Sequence, residues 1–245
     1  GTELISLDIS VSALELVVEN YPYVKTIAAD AAHIPLKSET MDMVSSQFGI
    51  EYAGEQAIAE IARLPRKGGK LALVLHHSDG LIQQECAASA DAIARLIDSD
   101  LIPMARDMFE KGYAMLRGGG SNDFHSAARA INPVYRSLEP IMDDHGVQVA
   151  GETISTLYNR IAEIQKNLPR YEEREVVDWL EAMASELPAY ADRMVSMCQS
   201  AQSPEQFKSF CTHLSQMNYQ IQQAHPQQVA DATLPLAWML VAERS

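Results

Sequence analysis

The sequence lacks any apolar run near the roughly 20 residues that a membrane-spanning helix requires, and its first residues carry no basic, apolar, small-residue leader pattern. A cytoplasmic protein with no membrane partner is expected. Positive charge is short: 19 Lys and Arg stand against 33 Asp and Glu, a formal −14, so the overall field repels a phosphate backbone. Nucleic acid is therefore not expected as a partner. Cysteine is scarce as well, and Cys86, Cys198 and Cys211 form no CxxC pair, which argues against a disulfide framework and a zinc site. His33, His125, His145, His213 and His225 are scattered without ligand spacing, so no metal is proposed. Gly118-Gly119-Gly120 lacks the preceding strand and the following Lys-Ser or Lys-Thr of a phosphate loop, and reads as a link between helices. There is no internal repeat. What is present is an ordinary globular composition, 47% apolar and 21% charged over 245 residues, enough for one large domain or two small ones.

From Glu3 to about His77, short apolar runs alternate with amphipathic stretches, the pattern of a parallel sheet wound with helices. Leu4 to Asp8 reads as a buried strand ending on a carboxylate. Ser12-Ala13-Leu14-Glu15 matches a capping box, and Val11, Leu14, Val17 and Val18 then share one helical face that stops before Pro22. Val24 to Ala29 is a second strand, leading to Asp30, and Met41 to Ser46 a third. Gln56 to Leu64 is a helix with Ala57, Ile58, Ile61 and Ala62 toward the sheet; the turn Pro65 to Gly69 then delivers a fourth strand, Lys70 to Leu75, which runs into His76 and His77.

Beyond Leu81 the strand pattern disappears, and helical spacing continues to about Ala224 between breakers at Pro103, Pro133, Pro169, Pro188 and Pro204. Leu236 to Ala242 is again a strand run that returns to the first sheet. The expected organisation is a sheet domain over 1–80, an all-helical insertion over 81–225, and a return to the sheet over 226–245. Met194, Met197, Met217, Phe207, Phe210 and Tyr219 are expected to line the helical insertion.

In an open parallel sheet, ligands sit beyond the carboxyl ends of the strands. Two strands here reach Asp, at Asp8 and Asp30, and a third ends in Gln47-Phe48-Gly49. An acid in that position can accept from ribose hydroxyls or from an adenine amino group; each acid taken alone can equally cap the segment that follows it. His76 and His77 are candidates for a general base, since imidazole titrates near neutrality, and the competing role is a strand-end hydrogen-bonding element. Glu51 and Tyr52, with His76, are candidates to orient an acceptor.

Leu4 to Ser10, Ala28-Ala29-Asp30-Ala31 before Ile34-Pro35-Leu36, Met41-Asp42-Met43-Val44, and Leu64 to Leu71 together resemble class I S-adenosylmethionine-dependent methyltransferases. The similarity covers residues 3–77, and Pro235 to Arg244 resembles that family's last strand. The resemblance implies an α/β, Rossmann-like, mostly parallel sheet of seven strands with the last antiparallel, and on that count the large all-helical insertion falls between the fifth and the final strands. It implies S-adenosylmethionine as methyl donor and S-adenosylhomocysteine as product, with ribose on Asp8, adenine against Ile9, Asp30 and Ala31, and the methionine part near Gln47.

The sequence departs from the family at one place: the glycine-rich loop that follows the first strand is missing, because Leu4 to Leu7 matches the second strand. Leaving that first strand out would open a gap of roughly 10 Å, two interstrand spacings, with central backbone groups unpaired at about 1–3 kcal/mol each where buried. A strand and glycine loop upstream of Gly1 are therefore expected, and direct pairing of Leu4–Leu7 with Met43–Ser46 would overturn that expectation. The expected activity is in-line methyl transfer to a small molecule, which rests on positioning and needs no covalent enzyme intermediate. The helical insertion would act as a lid. A homodimer is left open. Two alternatives remain: a nicotinamide-dependent oxidoreductase, which also wants an acid after its second strand, and a noncatalytic interaction protein whose helical block is the working surface.

Overall fold

The computed structural model describes residues 3–245. The chain forms two compact units, Gly1–Gln83 with Ser200–Ser245, and Gln84–Gln199.

In the first unit, β1 (Ile5–Asp8) leads to α1 (Val11–Asn20) and β2 (Lys25–Ala28). The cap of α1 is Ser10, whose hydroxyl accepts from the Ala13 amide at 3.3 Å. The box expected at Ser12 is therefore displaced by two residues, because Ser10 is the last extended residue and only there does the hydroxyl face the free amides of the first turn. Of the apolar face expected on α1, Leu14 is buried, whereas Val11 and Val18 are exposed.

Next come β3 (Met41–Gln47), a 3-10 turn (Ile50–Tyr52), α2 (Gly54–Arg63) and β4 (Pro65–His76). β4 is longer than the expected Lys70–Leu75, because Pro65 already pairs with β3, opposite Met41, and the register slips before Met43 pairs with Lys70. Gly68, at φ 74°, takes up that irregularity in a conformation few other residues adopt, and a Cβ on Gly69 would lie 2.8 Å from the Arg66 carbonyl oxygen and 2.9 Å from that of Met41.

The second unit is helical: α3 (Leu81–Asp98), α4 (Leu101–Leu116), α5 (Ser121–Arg136), α6 (Leu138–His145), α7 (Thr153–Lys166) and α8 (Glu173–Ser200) supply it. Its core gathers Ile93, Leu96, Met108, Phe109, Ile154 and Leu157. Pro133 and Pro188, expected as breakers, lie inside α5 and α8. Neighbouring apolar contacts, such as Ile131 and Leu187 in the buried core, offset the one backbone bond that each proline removes. No helix of the described residues is long and apolar enough to cross a membrane.

The chain then re-enters the first unit with α9 (Pro204–Gln216), β5 (Tyr219–Gln228) and β6 (Pro235–Arg244). Residues Tyr219 to Ala224, expected to be helical, are thus strand: among the described residues β5 is a polar edge strand paired with β6 alone. Likewise Phe207, Phe210, Met217 and Tyr219 do not line the helical unit; they pack with Leu71, Leu73 and Leu240 on the sheet core. The apolar face of α9 is real, but the sheet covers it.

The strands order as β2-β1 in one ladder and β3-β4-β6-β5 in another. β1 runs parallel to β2 and β3 parallel to β4, while β6 runs against both β4 and β5. Among the described residues β1 pairs with β2 only and β3 with β4 only, so one edge of each is open, and Leu4–Leu7 does not pair with Met43–Ser46. Leu4 and Met43, which an interior sheet would bury, are exposed. The fold is α/β and Rossmann-like, with β6 as its antiparallel strand.

Candidate functional site

Parallel pairing brings the carboxyl ends of β1 and β2 side by side. The Ala29 amide donates to the Asp8 carbonyl oxygen at 3.1 Å, which sets Asp8 and Asp30 at the same end of the ladder. Each carboxylate is held by the chain that follows it: Asp8 Oδ1 accepts from the Ser10 amide at 2.8 Å, and Asp30 Oδ1 from the Ala32 amide at 2.8 Å. The capping role is thus present at both acids, and it consumes one oxygen of each. Asp8 Oδ2 takes no hydrogen bond among the described residues. Ile9, beside it, is 75% exposed, a large apolar side chain left in water at a strand end. Ala31 is half-buried within the turn closed by the His33 amide on the Asp30 carbonyl oxygen at 2.8 Å.

The loop carrying Asp30 and Ala31 is clamped from α2 by two residues that sequence reasoning missed. Glu60 accepts from the Ile34 amide at 2.8 Å, and Arg63 donates to the carbonyl oxygens of Ile34 and Leu36, each at 2.7 Å. Arg63 also donates twice to Glu60, at 2.8 Å each, and that pairing holds the Glu60 carboxyl down to about 2. The only sequence signal was an acid and an arginine at i,i+3 on the helix.

Gln47 ends β3 opposite Val74 and is exposed. Phe48 then turns through the left-handed region, at φ 53°, while its amide still donates to the Val74 carbonyl oxygen at 2.8 Å. This turn lays the Phe48 ring against His76, centroids 4.4 Å apart. The 3-10 turn that follows carries Glu51 and Tyr52 to the end of β4. Glu51 Oε1 accepts from the His76 amide at 3.1 Å and from the ring nitrogen Nδ1 at 2.8 Å, with only 1% of the Glu51 side chain and 4% of the His76 side chain exposed. The Tyr52 ring stands edge-on to the same imidazole at 5.9 Å. The structure therefore brings together Glu51, Tyr52 and His76, while Gln47 ends the neighbouring strand and is exposed.

His77 is built differently. It stacks on Trp238 at 4.2 Å, and Trp238 stacks in turn on Phe207 at 4.3 Å. Its Nδ1 accepts from the Asp79 amide at 3.0 Å, and burial holds its pKa below the ordinary imidazole value. Trp238 Nε1 donates to the Gln202 carbonyl oxygen at 2.8 Å, tying the same segment down. With Nδ1 occupied as an acceptor and one ring face stacked on Trp238, His77 is a neutral packing element that fixes the end of β4. The anchoring roles of Gln202 and Trp238 left no signal in the sequence. Among the described residues no group of three or more His, Cys, Asp or Glu could hold a metal ion.

Residues 1–73 match the family described as "Methyltransferase domain". An uncharacterized methyltransferase of Schizosaccharomyces pombe is 27% identical over 190 residues, covering 72% of this chain and 70% of that one. The ubiquinone/menaquinone biosynthesis C-methyltransferase UbiE of Campylobacter jejuni is 36% identical over 70 residues, 28% of this chain and 30% of that one. This second match spans about a third of the enzyme's length. A solved S-adenosylmethionine-dependent methyltransferase from Methanosarcina mazei is 10% identical, covers 99% of this chain and 82% of its own, and superposes with a TM-score of 0.40, too loose to argue from.

Proposed function

We propose that this chain, a class I S-adenosylmethionine-dependent methyltransferase, passes the methyl group to a small-molecule acceptor by direct in-line displacement. The observation that carries the donor side is the pair of carboxylates at the adjacent ends of β1 and β2, each oriented by an amide two residues on, with Asp8 Oδ2 left to accept from a ligand. These residues fit the cofactor: Asp8 offers a charged acceptor to a ribose diol, the exposed Ile9 offers an apolar face to adenine, and Asp30 with Ala31 closes the adenine side. Gln47 at the end of β3 would meet the methionine part. The donor, when bound, supplies an activated methyl on a positively charged sulfur, which the formal −14 of the chain does not oppose.

A further parallel strand between β1 and β3, carrying the backbone turn that approaches the cofactor, belongs to this proposal. Its support is the pair of open strand edges and the exposed Leu4 and Met43 on them. On the acceptor side, the quinone methyltransferase similarity is confined to about 70 residues and names no acceptor for this chain. The test is transfer of a labelled methyl group from S-adenosylmethionine to small molecules extracted from cells. Label in the extractable fraction is the expected result; label in protein or nucleic acid alone would overturn the small-molecule assignment.

A further inference from the structure

Building on the methyl-transfer reading above, we propose that His76 is the general base that takes the acceptor's proton, that Glu51 positions it, and that the acceptor is a planar aromatic hydroxyl compound. Three observations single out His76 over its neighbour. First, Glu51 Oε1 holds Nδ1 at 2.8 Å and the His76 backbone amide at 3.1 Å, so a carboxylate that can only accept fixes the proton on Nδ1 and leaves the lone pair on Nε2. Nε2 has no hydrogen-bond partner among the described residues. Second, His77 has no such freedom: its Nδ1 accepts from the Asp79 amide and its ring lies in the column with Trp238 and Phe207. Third, among the described residues Glu51 Oε2 is buried with no hydrogen-bond partner, so a positive charge formed on the adjacent imidazole would offset an otherwise uncompensated carboxylate oxygen.

The chemical class follows from the walls and the base together. The Phe48 and Tyr52 rings flank the imidazole, at 4.4 and 5.9 Å, and offer a planar ring an offset or edge-on partner. An acceptor with no proton to lose would have no use for a base. In the step proposed, the O–H bond of the acceptor breaks and its proton passes to His76 Nε2. The pair left on the acceptor forms the new bond to the methyl carbon, and the carbon–sulfur pair stays on sulfur. The imidazolium formed is stabilised by Glu51 until its proton returns to water.

The experiment uses the full chain and compares 2-naphthol with 4-nitrophenol, whose hydroxyl ionises readily without help. Labelled S-adenosylmethionine is the donor, and S-adenosylhomocysteine binding is measured in parallel by calorimetry. The wild type is expected to methylate both phenols. His76→Gln is expected to lower kcat for 2-naphthol on the order of 10²–10⁴-fold and for 4-nitrophenol by less than about tenfold, with S-adenosylhomocysteine affinity unchanged. Glu51→Gln should show the same dependence on acceptor acidity with a smaller loss, and the double variant should be no worse than His76→Gln. Equal losses on both phenols would make the pair structural and overturn the proposal, as would a wild type that binds S-adenosylhomocysteine yet methylates neither. A wild type that binds no S-adenosylhomocysteine would instead overturn the methyl-transfer reading on which the proposal rests.

Discussion

Arg63 reaches from α2 to two carbonyl oxygens of the loop that carries Asp30 while it is braced by Glu60 one turn behind it. The pair makes a helix, which is stiff, hold a loop, which is not. Replacing Arg63 with Ala strands the carbonyls of Ile34 and Leu36 and leaves Glu60 without its cation, and is expected to cost about 1–3 kcal/mol. The Glu60 carboxyl is held at about 2 in the folded state, against 4.5 ordinarily. Its contribution is therefore complete above about pH 4.5 and is lost as pH falls toward 2. Denaturant midpoints measured across that window should fall more steeply in the wild type than in Arg63→Ala. Parallel curves would show that the clamp contributes nothing.

His77 contributes with the opposite charge logic. Burial against Trp238 lowers its pKa below 6.5, so the unfolded chain takes up a proton that the folded chain refuses. Stability is expected to decline as pH drops below 6.5, until the folded-state pKa is reached. His77→Phe keeps a ring in the column and removes the titration, so its stability should vary less between pH 6.5 and 5. An unchanged slope would show that His77 is not buried in its neutral form.

Phe48 occupies the left-handed region at φ 53° in order to put its ring on His76. Phe48→Ala loses the ring and keeps the strain, whereas Phe48→Gly loses both. The Gly variant is therefore expected to be more stable than the Ala variant by about 1 kcal/mol, the cost of a left-handed residue with a Cβ. Equal stabilities by chemical denaturation would show that the Phe48 backbone carries no such strain.

Much of this was legible in the sequence for physical reasons. The runs at β1, β3 and β4 are bounded by turn residues, so the places of Asp8, Asp30, Gln47 and His76 at or just beyond strand ends could be read from order alone. β5 was not legible: YQIQQAHPQQ is polar because it is an edge strand, and Pro226 is tolerated there because an edge leaves one set of amides without a ladder. The face of α9 was visible, but amphipathicity does not say which core covers Phe207 and Phe210. The bond from Glu51 to His76 spans 25 residues and depends on the left-handed turn at Phe48, which no local propensity encodes.

If Asp8 at the end of β1 holds the ribose of the methyl donor, its removal weakens donor binding. Calorimetric titration of the full chain with S-adenosylhomocysteine tests it most directly, comparing wild type with Asp8→Ala. Loss of a charge-assisted contact worth about 1.5–3 kcal/mol corresponds to a drop in affinity of roughly 10–100-fold, and that is the result expected. Equal affinities in the two proteins would contradict the assignment of Asp8 to the ribose and, with it, the site as described.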